Sequence, residues 1–198
     1  FLFDDTQDPN DPDPIDLRGG KRAPRRFVDW QTFFNFGDGN FRPNKKIDGK
    51  LSSVVMLLPG SRGPAPGLPA DGVQSLASRN LMRHVNFGIP SGQAIARRMG
   101  VPALSPTQLD ALTPFGMEKS TPLWYYILKE AELMENGLRL GPVGGRIVGE
   151  VFIGLLKADE TSYLAARPNW TPVLPSSTPG DFRITALLTL AGVVPPLN

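Results

Sequence analysis

The sequence contains no cysteine, which excludes disulfides, thiolate catalysis and sulfur-ligated zinc or iron–sulfur centres. It contains one histidine, His84, so no pair of imidazoles in this chain can hold a metal. Neither sign of charge dominates. Lys and Arg number 21 against 19 Asp and Glu, a net charge of +2, which gives little pull toward nucleic acid. Long apolar runs are missing too. The longest, Val143 to Leu156, is interrupted by Arg146 and Glu150 and falls short of the ~18 residues a membrane span needs. No membrane span and no nucleic-acid partner are therefore expected.

Glycine and proline are plentiful, at 21 each in 198 residues. Hydrophobic residues make up 40%, too many for a disordered chain. The combination predicts a folded chain of short elements joined by long irregular loops. Residues 1–26 open with DDTQDPNDPDPID and close with GGKRAPRR. Alternating Asp-Pro disfavours helix and central strand, so the segment reads as a solvated linker or N-terminal arm. Its carboxylates would suit a hard cation, but the prolines break EF-hand spacing.

Residues 27–198 read as mainly helical. Asp29 is placed to cap a short helix through Phe36, whose four aromatic residues would anchor it to a core. Leu51 to Leu58 suggests a buried extended stretch, and Pro59 to Pro69 a run of turns. Gly72 to Phe87 predicts a helix with Leu76, Asn80, Arg83 and Phe87 on one face. Ser91 caps the next, closed by Gly100, and Ser105-Pro106-Thr107-Gln108 has a capping-box pattern opening a helix to about Leu112. Thr121-Pro122 opens another by the same logic, with Leu123, Ile127, Ala131 and Met134 inward and Gly137 as its stop. Pro142 starts a glycine-rich helix to Ala158, and Asp181 to Gly192 closes the series with Ile184, Leu187, Leu188 and Ala191 inward. The glycines of GGRIVGE follow no strand and lack the lysine of a P-loop. Arg146 and Glu150 are spaced for an ion pair, Arg97-Arg98 for a solvated face. Glu130, Glu132 and Glu135 show no spacing that argues acid–base work.

The informative segment is SRNLMRHVNFGIPSGQAIARRMG, Ser78 to Gly100. Asn80 and Arg83 stand one turn apart on an otherwise apolar face, where a carboxamide and a guanidinium need partners. Such partners could be a backbone group and a carboxylate. The segment also resembles the proximal helix of the animal-type haem peroxidases, the peroxidase–cyclooxygenase superfamily. The resemblance rests on Asn80-Leu81-Met82-Arg83 followed by Gly88-Ile89-Pro90-Ser91-Gly92. It extends to VDWQTFFNF upstream and to TPLWYYILKEAE, LGPVGGRIVGEVFIGLL, Tyr163 and Asn169-Trp170 downstream, in the order of the family's bacterial branch.

That resemblance implies a multi-helical haem-peroxidase-like fold of which this chain forms the carboxyl-terminal half. It implies haem as cofactor. Asn80 would accept a hydrogen bond from the iron-ligating histidine's N–H, and Arg83 would pair with a propionate. His84 falls where the family usually has glycine, and it reads as a surface or capping residue rather than the iron ligand. The family's proximal and distal histidines, catalytic arginine and calcium loop lie upstream of Val28–Phe36, so the resemblance assigns them, and any calcium, to an amino-terminal partner chain. With a start at Phe1 rather than Met and an exposed acidic arm, the expectation is a cleaved precursor or a separate subunit of a secreted peroxidase that reduces hydrogen peroxide. Two alternatives stand beside it: a lipid oxygenase of the same superfamily, and a non-catalytic structural or binding subunit that has lost haem.

Overall fold

A computed structural model describes residues 28–56 and 75–194. The acidic arm at 1–26, the turn-rich Pro59–Pro69 run and the expected start of the second helix at 72–74 lie outside the described residues. The described chain is mainly helical, and no strand occurs in it. Its helices are α1 (Trp30–Phe33), α2 (Leu76–Asn86), α3 (Gly92–Met99), α4 (Leu123–Met134), α5 (Pro142–Ala158), α6 (Tyr163–Ala166) and α7 (Ile184–Leu190). Two 3-10 segments, Ser53–Met56 and Pro106–Phe115, join them. The chain divides into two compact units, Lys46–Leu155 and one built from 28–45 with 156–194.

In the Lys46–Leu155 unit the core is Ala96, Leu104, Leu109, Tyr126 and Val143, with Ile95, Met99, Leu123 and Ile127 packed around it. Local signals build it. Ser91 accepts from the Ala94 N–H and opens α3, which Gly100 closes. Ser105 and Gln108 form the reciprocal capping box expected of them. The segment after it winds as a 3-10 helix to Phe115 rather than an α-helix to Leu112, and it kinks at Leu109. The kink turns Leu109 fully into the core, which a continuous helix with Pro114 inside it could not accommodate.

Three expectations are corrected here. Thr121 does not cap α4, which begins without a side-chain cap. Its hydroxyl donates instead to the Met117 carbonyl and accepts from Gln93 Nε2 at 2.8 Å. The inward face of α4 is also wider than the aliphatic stripe suggested. Ala131 is buried and Leu123 and Ile127 touch the core, but Met134 is exposed, and the most buried side chains are Tyr126 and Glu130. Leu51 and Met56 are exposed, so the described part of 51–58 is not a buried extended stretch; a 3-10 turn occupies it.

The second unit has a small core of Phe36, Leu188 and Val194 with Phe34 against it. Asp29 caps α1 by accepting from the Gln31 N–H, and the Thr32 hydroxyl bonded to it holds its carboxyl below the ordinary range. The helix stops at Phe33, so Phe36, the aromatic that anchors the segment, lies beyond its end. Ile184, Leu187 and Ala191 are exposed, and of the stripe expected on α7 only Leu188 is buried.

Candidate functional site

The element carrying Asn80 and Arg83 is α2. Ser75 caps its first turn by accepting from the Ser78 N–H. Its end is fixed by Gly88, whose φ of +57° lets its own N–H reach the Val85 carbonyl while the Ile89 N–H reaches that of His84. This is the expected Gly-Ile-Pro turn, and Ser91 starts α3 immediately after it. The spacing of the two helices is therefore written in three residues: a left-handed glycine, a proline that cannot continue a helix, and a serine cap.

Helix α2 buries none of its residues completely. It packs on α4 and on the Ser53–Met56 turn, while Leu76, Leu81, Met82, Val85 and Phe87 remain exposed, Val85 and Phe87 by about three quarters. Asn80 is half-buried and Arg83 is exposed. The structure brings these two together: an Arg83 guanidinium nitrogen donates to Asn80 Oδ1 at 3.4 Å, a long bond. No carboxylate pairs with Arg83 among the described residues. The structural partners considered for it, a backbone group for Asn80 and a carboxylate for Arg83, are thus not what the fold supplies.

His84 follows one turn after Asn80. It is half-buried rather than at the surface, and its Nδ1 is enclosed without a hydrogen-bond partner. A ring protonated at Nε2 alone leaves no buried donor unpaired there. No group of three histidine, aspartate or glutamate side chains close enough to hold a metal occurs among the described residues.

Sequence reasoning missed a second polar constellation. Gln93 lies at the start of α3, buried, and spans to the loop before α4. Its Nε2 donates to the Glu118 carbonyl and the Thr121 hydroxyl, and its Oε1 accepts from the Thr121 N–H at 2.9 Å. The Gly92 N–H bonds the Thr121 carbonyl beside it. Tyr126 presses on Gly92 so closely that a Cβ there would lie 1.9 Å from its ring. The Tyr126 hydroxyl accepts from the Leu104 N–H at 2.9 Å, and burial raises its pKa. These bonds hold the start of α3 against the loop before α4, while Oε2 of Glu118 beside them is buried without a hydrogen-bond partner. The SGQ signal after the turn could have marked it: a glycine and a carboxamide in a first turn suit close approach.

The remaining charged pairs are ordinary. Arg146 and Glu150 form an exposed ion pair at 2.6 Å, and Arg146 also donates to the Met99 carbonyl. Arg97 and Arg98 are exposed, as a solvated face requires. Tyr163 and Trp170 meet edge to face at 6.2 Å. A groove of about 730 Å³ lies in the second unit, lined by residues such as Asn35, Phe36, Ser177, Asp181 and Thr185. Neither Asn80 nor Arg83 lines it. Much of its polar edge is already committed: Arg183 to Asp181, Thr189 to the Thr185 carbonyl and Ser176 to that of Thr178.

Comparison with protein-family models, with curated proteins and with solved structures finds no match for this chain.

Proposed function

We propose that this chain is the carboxyl-terminal part of an animal-type haem peroxidase, completing the proximal side of a haem pocket against an amino-terminal chain. The observation that carries the reading is the state of α2. A carboxamide and a guanidinium sit side by side on a helix whose apolar side chains are exposed and whose own fold offers Arg83 one long bond. The two residues suit haem. An amide oxygen can accept from an imidazole N–H and so fix the tautomer and basicity of an iron ligand. A guanidinium fork matches a carboxylate such as a propionate.

When bound, haem supplies the two-electron reduction of hydrogen peroxide and the oxidation of a donor. This chain's share is to position. Asn80 orients the partner's imidazole. Arg83 neutralises a propionate, and breaking its long bond to Asn80 costs little because that side is already solvated. In this reading the iron ligand comes from the partner chain, where the resemblance places the proximal histidine. The apolar side chains exposed on α2 and on the outer half of α5 (Val148, Val151, Phe152, Ile153, Leu155) suit burial against that chain.

An absorbance spectrum of the purified protein, with intact masses of every polypeptide in it, tests the reading. A Soret band together with a second, histidine-containing chain is expected. A single species of this chain's mass without a Soret band overturns it and leaves a non-catalytic subunit.

A further inference from the structure

Glu130 is fully buried in α4, and among the described residues no cation pairs with it. Its Oε2 accepts from the N–H groups of Val143 and Gly144 at 3.0 and 3.1 Å, and its Oε1 from Val143 at 3.1 Å. These are orphan donors of the first turn of α5, so a side chain from one helix caps the start of the next. The fit leaves no slack: a Cβ on Gly141 would lie 2.5 Å from Glu130 Cγ. Lys129 is paired with Glu132, Arg139 with Glu135, and Arg146 with Glu150 and the Met99 carbonyl. Burial and, after it, the charge of Glu130 raise the pKa of Tyr126, one turn away on the same helix.

A capping serine or threonine would satisfy the same donors with no charge to bury. A carboxylate held by two backbone N–H groups and no cation behaves differently in its two protonation states. We propose that Glu130 is a proton-linked latch, through which the junction of α4 and α5 tightens when the carboxyl takes up a proton and loosens when it ionises. Protonated, it still offers a carbonyl oxygen to Val143 and Gly144 and carries no buried charge. Ionised, it gains stronger bonds but bears the desolvation of an unpaired anion. Burial is the largest influence and raises its pKa above the ordinary glutamate value, against the opposing pull of the two N–H groups. Because the folded value lies above the unfolded one, the stabilisation is complete below the ordinary glutamate range. It is lost as pH rises through the folded value.

The test is amide exchange at Val143 and Gly144 in the full chain, corrected for intrinsic rates, from pH 4 to 8, beside a carboxyl carbon titration of Glu130. Protection is expected to fall with rising pH, by up to about tenfold for each unit by which the carboxyl titrates above ordinary glutamate. Glu130→Gln, whose side chain does not ionise, is expected to show flat protection over the same range. Should that variant not fold, the wild-type titration decides alone. Protection that is constant or rises with pH, or a carboxyl that titrates at or below the ordinary range, overturns the latch.

Discussion

Helices α2 and α3 adjoin in sequence, both start at a serine cap and both end at a left-handed glycine, yet they meet opposite fates. Helix α3 buries Gly92, Gln93 and Ala96 against α4 and satisfies its polar groups there. Helix α2 buries nothing completely and leaves a carboxamide, a guanidinium and five large apolar side chains at or near the surface. Identical local grammar therefore sets where helices begin and end but not what they pack against. The difference lies in the residues between the caps. A glycine and a glutamine allow the ring of Tyr126 to close over α3, whereas Leu81, Met82 and Val85 on α2, and Phe87 just after it, stay exposed among the described residues.

If the comparison holds, damage at the α3–α4 contact is costly to the fold and damage on α2 is not. Tyr126→Ala removes a fully buried ring and its bond to the Leu104 N–H, and is expected to destabilise by about 3–5 kcal/mol in urea unfolding followed by tryptophan fluorescence. Gly92→Ala places a methyl inside the Tyr126 ring and is expected to cost about 3 kcal/mol, the upper part of the overpacking range. A tolerated alanine there would break the contrast at its centre. Gln93→Ala strands the Thr121 N–H and takes a donor from the Glu118 carbonyl and the Thr121 hydroxyl, and about 1–3 kcal/mol is expected. Arg83→Ala sharpens the contrast from the other side. Its effect on unfolding is expected to stay within about 0.5 kcal/mol, since the residue is exposed and its bond long. In the haem-containing assembly the same change is expected to weaken haem retention about tenfold, read by transfer of haem to apomyoglobin, because a charge-assisted bond is lost.

Much of this was legible in the residues. Ser91, Gly100, Ser105 with Gln108, and Pro142 to Ala158 announce their elements through capping chemistry that acts within one turn. What was not legible depends on a second element. Thr121 looks like a cap because it precedes Pro122, but Gln93, 28 positions away, claims it. Glu130 shows no more than Glu132 and Glu135 do in the sequence, until α5 begins against it. The stripe on α7 has helical spacing, yet the unit it belongs to places only Leu188 in its small core. Asn80 and Arg83 were found by spacing, and the fold keeps them adjacent.

The central proposal is that Asn80 on α2 accepts from an iron-ligating imidazole in place of its long bond from Arg83. The most direct test is the ferrous iron–imidazole stretching band, measured by resonance Raman on the purified haem-containing assembly and on its Asn80→Ala variant. The account predicts a shift of that band to lower frequency in the variant, as the ligand loses the acceptor that makes it more basic. An unchanged band in a variant that retains haem would contradict it.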